Sequence, residues 1–129
     1  MPLINDPIGD LLTRIRNSQA ANRAQCRAPW SKIRQQICEL LVRGKWLQSV
    51  EVEGADPKKQ LLITFAPDQM SLTLTRISKP GRRIYRSVDE LRPVLNGFGI
   101  AILTTSEGIL TDTEARKKKI GGELLCTIS

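Results

Sequence analysis

Residues 31–65 read SKIRQQICELLVRGKWLQSVEVEGADPKKQLLITF, and this stretch decides the fold class. Ser31 is a helix-capping residue type. Ile33, Ile37, Leu40 and Leu41 recur at helical spacing, and Gly44 marks a stop. From Trp46 the texture changes. Leu47, Val50 and Val52 precede a loop carrying Gly54 and Asp56–Pro57, and Leu61, Ile63 and Phe65 follow it. Alternating apolar residues on both sides of such a loop predict two antiparallel strands. A helix followed at once by a hairpin is an α+β pattern.

Upstream, Ile4, Ile8, Leu11, Leu12 and Ile15 form another helical stripe, with Arg14, Arg16 and Asn17 off it. They predict a helix at about 6–20, capped by Asn5 or Asp6, with Pro7 in its first turn. Cys26 to Pro29 reads as extended. Residues 1–66 are thus one N-terminal α/β subdomain: helix, strand, helix, strand, strand.

Residues 67–129 read as a second, mainly β subdomain with one short helix. Leu72, Leu74, Arg76 and Ser78 alternate with Thr73, Thr75 and Ile77 as a strand. Lys79-Pro80-Gly81-Arg82 places Pro and Gly where a type II turn needs them. Ile84 and Tyr85 start a short strand, and Ser87 caps a brief helical turn over Val88–Leu95. Gly99 to Leu103 is a buried strand. Thr111 with Glu114 is a capping-box signal for a helix at about 112–119, stopped by Gly121 and Gly122. Leu124 to Ile128 is the last strand. The fold class is α+β, with two small α/β subdomains.

Of the 129 residues, 40% are hydrophobic and 26% charged, which is a folding composition. Aromatics are only 4%, so Leu, Ile, Val and Ala must build the core. Twenty Lys and Arg against thirteen Asp and Glu give +7, and a small domain that basic usually meets a polyanion. Histidine is absent. That excludes a His general base, a Ser-His-Asp or Cys-His pair, and a His-containing zinc site. Cys26, Cys38 and Cys126 are odd in number, and none are at CxxC spacing. They read as small core residues in a reducing compartment. The first ten residues do not resemble a secretory leader, and Ile100–Leu103, the longest apolar run, is far too short for a membrane span. A soluble, intracellular protein without a membrane partner is expected.

The charge is uneven. Residues 1–50 hold eight basic and three acidic side chains, 51–75 two and four, and 76–92 six and two. Two basic regions therefore flank an acidic hairpin and are candidates for an anion-binding surface. Arg76, Lys79, Arg82, Arg83 and Arg86 surround the Pro-Gly turn and Tyr85. Guanidinium groups fork onto phosphate oxygens, and a Tyr ring stacks on a base or sugar, as an RNA site requires. A basic edge strand that resists aggregation is the plainer alternative.

Thr104-Thr105-Ser106 offers three hydroxyls at a strand end, and Gly108 permits a return. On residue type alone an ordinary Ser/Thr turn is the commoner outcome, and donation to phosphate or base edges the other. Arg116-Lys117-Lys118-Lys119 either complements a helix dipole or contacts phosphate. Gly97-Phe98-Gly99 precedes a strand instead of opening a helix, so it is not a dinucleotide fingerprint. Asp6 and Asp10 share a helix face beside basic residues and read as capping and solubility groups, not as a catalytic pair.

Specific strings say more. Residues 6–17 (DPIGDLLTRIRN) resemble the opening helix of the eighth protein family of the small ribosomal subunit. Residues 76–85 (RISKPGRRIY) resemble its central turn, and 97–106 (GFGIAILTTS), Gly108 and 121–126 (GGELLC) its C-terminal blocks. The blocks come in the family's order and cover nearly the whole chain, with the bacterial-type form the best fit. The resemblance implies a primary rRNA-binding protein that recognises an irregular helix in the central domain of small-subunit rRNA and helps assemble the platform. It implies no catalysis, no cofactor, no metal and no small-molecule substrate, and a place in the cytoplasmic small subunit. The implied partners are that rRNA, neighbouring small-subunit proteins and, as a family-level extra, its own messenger RNA.

By the same resemblance, Thr104, Thr105 and Ser106 enter the RNA groove, with Tyr85 and Gly121, Gly122 and Glu123 beside them. The N-terminal subdomain contributes Ser31 and Lys32 and the polar face of the first helix, Arg14 and Asn17. Arg82, Arg83 and Arg86 are, by their chemistry, the candidate phosphate contacts. Two residues depart from the family pattern. Glu107 stands where Lys is common, and Trp30 where a small polar residue is usual.

A DNA-binding regulator is the rival reading. The two N-terminal helices are separated by about ten residues, not by the tight turn of a helix-turn-helix. An enzyme acting on a phosphorylated substrate is disfavoured by the missing histidine and the missing nucleotide-binding loop.

Overall fold

The computed structural model describes residues 6–67, 71–94 and 97–129. Ile4, Asn5 and Leu95, used in the sequence reading, lie outside them. The chain divides into two compact units, Asp10–Leu72 and Met1–Gly9 with Thr73–Ser129. The expected division at residue 66 differs from this by six residues, and the unit boundary near the N-terminus falls inside the first helix.

In the Asp10–Leu72 unit, the long helix α1 (Pro7–Ala20) is followed by β1 (Gln25–Pro29), α2 (Lys32–Arg43), β2 (Ser49–Glu53) and β3 (Gln60–Thr64). β3 is central in an antiparallel β1-β3-β2 sheet. α2 starts where predicted, because the Ser31 hydroxyl accepts the Arg34 amide at 3.2 Å. Its stripe is Ile37, Cys38, Leu40 and Leu41, all buried, while Ile33 is half-buried. Leu61 and Ile63 are fully buried on the central strand. Val52 on the β2 edge is exposed, so only one end of the predicted alternation there points inward.

The other unit holds β4 (Leu74–Arg76), β5 (Tyr85–Arg86), β6 (Ile100–Thr105), β7 (Gly108–Thr111), α3 (Asp112–Lys118) and β8 (Gly122–Ile128). The sheet runs β4-β8-β6-β7, with β5 pairing the start of β8. Ala101, Ile102 and Leu103 are buried in succession, so both faces of β6 are covered. Leu91, Ala101, Leu103 and Ala115 form a core cluster, with Val94 and Leu124 against it. The capping box holds: Thr111 Oγ1 accepts the Glu114 amide, and the Glu114 carboxylate accepts from Thr111.

Several local expectations are corrected. β7 is additional to the expected elements, because only Ile109 and Leu110 carry an apolar signal there. The turn at Lys79–Arg82 is closed by Arg82 N–H donating to Lys79 O at 2.9 Å, but Gly81 lacks the positive φ of a type II turn. The helical turn after Ser87 is a 3-10 segment of three residues, Val88–Glu90. α3 is ended by Lys119 in the left-handed conformation (φ 57°), and Gly122 already belongs to the last strand.

Candidate nucleic-acid interface

The sheet of the C-terminal unit converges on one end of β8. There Tyr85 pairs with Glu123 on one side, and Thr104 pairs with Glu123 on the other. Directly paired residues share a sheet face, so Tyr85, Glu123 and Thr104 form one cross-strand row. Tyr85 is 65% exposed, so its ring is available to a partner. Gly121 and Gly122 allow this crowding. A Cβ on Gly121 would meet the Arg86 carbonyl, and one on Gly122 the Thr104 carbonyl.

Thr104, Thr105 and Ser106, read as one hydroxyl group of donors, behave as three different residues. Thr104 is half-buried in the ladder. Thr105 Oγ1 donates to Gly108 O at 2.9 Å and accepts the Glu107 amide at 3.1 Å, so it holds the hairpin closed. Ser106 is exposed in the two-residue loop and has no partner among the described residues. Gly108, at φ +99°, takes the left-handed position that returns the chain. Glu107 lies 3.8 Å from Lys118, both exposed.

The basic turn separates in the same way. Arg76 is removed from the donor set, because it makes two bonds to Asp6 and donates to Leu125 O at 3.1 Å. Asp6 also accepts the Gly9 amide at 3.1 Å and so starts α1, as its capping role required. Burial works to raise the Asp6 carboxyl, but the Arg76 and Gly9 bonds prevail and hold it below its ordinary value. Arg83 pairs with Glu123 at 3.2 Å, so Glu123 orients an arginine besides sitting in the row. Arg86 donates to the Tyr85 carbonyl at 3.0 Å. Lys79 and Arg82 are exposed and joined to each other only through their backbones.

Ser78, a strand residue in the sequence, has a further role in the structure. It is fully buried; its hydroxyl accepts from Ile84 N at 2.8 Å and donates to Ile84 O at 3.2 Å. One side chain therefore ties together the two ends of the loop that carries Lys79, Arg82 and Arg83. The alternation sets it on the face of Leu72 and Leu74, both buried, but residue type alone does not show which backbone groups its hydroxyl ties. In α3, Arg116 lies 2.9 Å from the buried Asp112, whose other oxygen accepts the Ala101 amide at 3.2 Å, so Arg116 is structural.

In the Asp10–Leu72 unit, Ser31 caps α2 and Lys32 beside it is exposed. Arg14 Nε lies 2.9 Å from Asp10, and Asn17 is exposed one turn on. Trp30 is half-buried. Its indole N–H donates to Gln35 at 2.7 Å, and the Lys59 ammonium sits 4.1 Å from the ring centre. One face of the indole is therefore already occupied by a cation.

All three cysteines are buried free thiols, and burial pushes Cys38 and Cys126 up to about 12. No group of three metal-ligating side chains occurs among the described residues, and no helix among them is long and apolar enough to cross a membrane.

Comparison with known proteins adds the family. The model of the family described as ribosomal protein S8 matches residues 6–129. A small ribosomal subunit protein uS8 of Rubrobacter xylanophilus is 43% identical over 129 residues, covering 97% of this chain and 98% of its own. One of Acidithiobacillus ferrooxidans is likewise 43% identical, covering 98% of both.

Proposed function

Because the chain belongs to the ribosomal protein S8 family, we propose that it binds the central domain of small-subunit rRNA and helps assemble the platform around it. The coarser role stands with the family: a structural, non-enzymatic component of the small subunit of the cytoplasmic ribosome. The observation that carries the finer reading is the row Tyr85–Glu123–Thr104, with the unpartnered Ser106 hydroxyl in the adjoining loop.

An RNA duplex offers side chains little in its deep major groove. Recognition uses minor-groove edges, 2′-hydroxyls, phosphates and irregular bases. A short hydroxyl that both donates and accepts, on a loop with no Cβ at Gly108, suits close approach to such a surface. Tyr85 supplies a stacking face, and Gly121 and Gly122 keep the row narrow. Arg82, Arg83 and Arg86 position the RNA through phosphate, as do Lys32, Arg14 and Asn17 with the Ser31 segment in the other unit. Neighbouring small-subunit proteins are further partners, and an irregular helix of similar shape in its own messenger RNA would meet the same residues.

The test is binding of the full chain to a central-domain rRNA fragment, a scrambled RNA and a duplex DNA at several salt concentrations. Preference for the rRNA fragment at every salt is expected. Equal affinity for duplex DNA would favour the regulator reading instead.

A further inference from the structure

We propose that the cleft between the last turns of α1 and strand β1 is a seat for an RNA backbone phosphate, formed by Arg14, Arg23 and Arg27 over Ser18. The proposal rests on the rRNA-binding reading above, which already uses Arg14 and Asn17, and extends it to Ser18, Arg23 and Arg27. The cleft has a volume of about 350 Å³, and Arg14, Asn17, Ser18, Arg23 and Arg27 line it, with the buried Cys26 at its floor.

Two of the guanidinium groups are held by carboxylates at their Nε atoms. Arg14 Nε lies 2.9 Å from Asp10, and Arg27 Nε lies 3.0 Å from Glu53. Arg14 Nη1 also donates to the Arg27 carbonyl at 3.3 Å, which joins helix to strand across the cleft. Among the described residues, Arg27, held at Nε, keeps both Nη groups for a ligand and Arg14 keeps one. The Arg23 side chain is exposed and has no hydrogen-bond or ion-pair partner among the described residues, while its backbone N–H donates to Ser18 O at 2.9 Å. A fork fixed at one end and open at the other is preorganised for a phosphate oxygen, because less side-chain freedom is lost on binding. The cleft thus carries three cations against two carboxylates, both already engaged by arginine.

The full chain is titrated with the central-domain rRNA fragment and with scrambled RNA of equal length across a salt series, as wild type and as Arg23→Ala/Arg27→Ala. Thermal melts run alongside. Losing two phosphate contacts should flatten the log–log salt slope by about 1.5 on both RNAs. The ratio of cognate to scrambled affinity should stay unchanged, since phosphate contacts carry no sequence. Slopes and affinities equal to wild type on both RNAs overturn the proposal. Arg23→Glu breaks no side-chain hydrogen bond or ion pair among the described residues, so it decides the question if the double variant melts early. A wild-type chain that binds both RNAs equally overturns the rRNA reading, while a flattened slope still supports the cleft. One that binds neither overturns both. Inorganic phosphate that shifts the Arg23 and Arg27 side-chain NMR signals, with RNA slopes unaffected by the variants, assigns the cleft to a free anion and overturns the RNA seat.

Discussion

Arg76 Nη2 lies 2.8 Å from Asp6 Oδ1 and its Nε 3.3 Å from Oδ2, a two-pronged pair between residues seventy positions apart. Both side chains are largely sheltered, at 12% and 28% exposure, so the pair is poorly screened by solvent. The same carboxylate starts α1. One acidic group therefore anchors strand β4 and a helix N-terminus together.

Asp6→Asn keeps the shape of the cap but removes the charge, and should cost about 1–3 kcal/mol of stability. The pH dependence follows from the lowered carboxyl. Its stabilisation is complete above the unfolded value near 3.8 and is lost as pH falls through the lower folded value. Melting temperatures from neutral pH down to acid should converge for wild type and Asp6→Asn. A constant gap at all pH values would mean that charge is not what the pair contributes.

Ser78→Ala leaves the Ile84 amide and carbonyl without their shared partner inside the unit. A cost of about 1–3 kcal/mol is expected in denaturant titration. Weaker RNA binding should accompany it, because the loop carrying Arg82 and Arg83 loses its tie. A neutral Ser78→Ala would show that a water satisfies Ile84 equally well.

Ser106 and Thr105 should separate by experiment. Ser106→Ala should lower RNA affinity by about 1–3 kcal/mol with the melting temperature kept, since its hydroxyl is exposed and unpartnered in the free protein. Thr105→Val removes two hairpin bonds and should lower the melting temperature first. If Ser106→Ala instead melts early with unchanged affinity, the loop is only a turn. Glu107→Lys serves as a control. Where the loop faces phosphate it should strengthen binding modestly and steepen the salt slope.

Arg82→Ala and Arg83→Ala look alike in sequence but not in structure. Arg82 has an exposed side chain without an ion pair among the described residues, so its loss should reduce the salt slope by about 0.7–0.9 on any RNA. Arg83→Ala should do the same and also release Glu123 from its 3.2 Å contact, adding a loss of discrimination between cognate and scrambled RNA. Identical profiles for the two variants would remove Glu123 from the recognition row.

Features that depend on residues within one or two turns of each other are legible in the amino-acid order. The stripe of Ile37, Leu40 and Leu41, the Ser31 cap, the Thr111–Glu114 box and the hairpin around Gly54 are all readable, because helix and turn geometry fix which near neighbours meet. The family strings likewise single out Tyr85, Ser106 and Glu123 as candidates. Which of the candidate groups keep donors free for a ligand is set by long-range contacts. Among the described residues, Arg76 is engaged by Asp6 and Thr105 by its own hairpin, Arg83 gives one Nη to Glu123, and the side chains of Ser106, Arg82 and Arg23 have no hydrogen-bond or ion-pair partner. Strand β7 and the buried Ser78 belong here too, since four residues with two apolar side chains, or one serine, become specific only when a neighbouring strand supplies the partner. The physical reason is register. Glu123 meets Tyr85 and Thr104 because β8 pairs β5 on one side and β6 on the other, past an irregularity at Ile102/Leu103 that shifts the ladder. A one-residue slip turns a side chain to the opposite face, and spacing along the chain does not encode that shift.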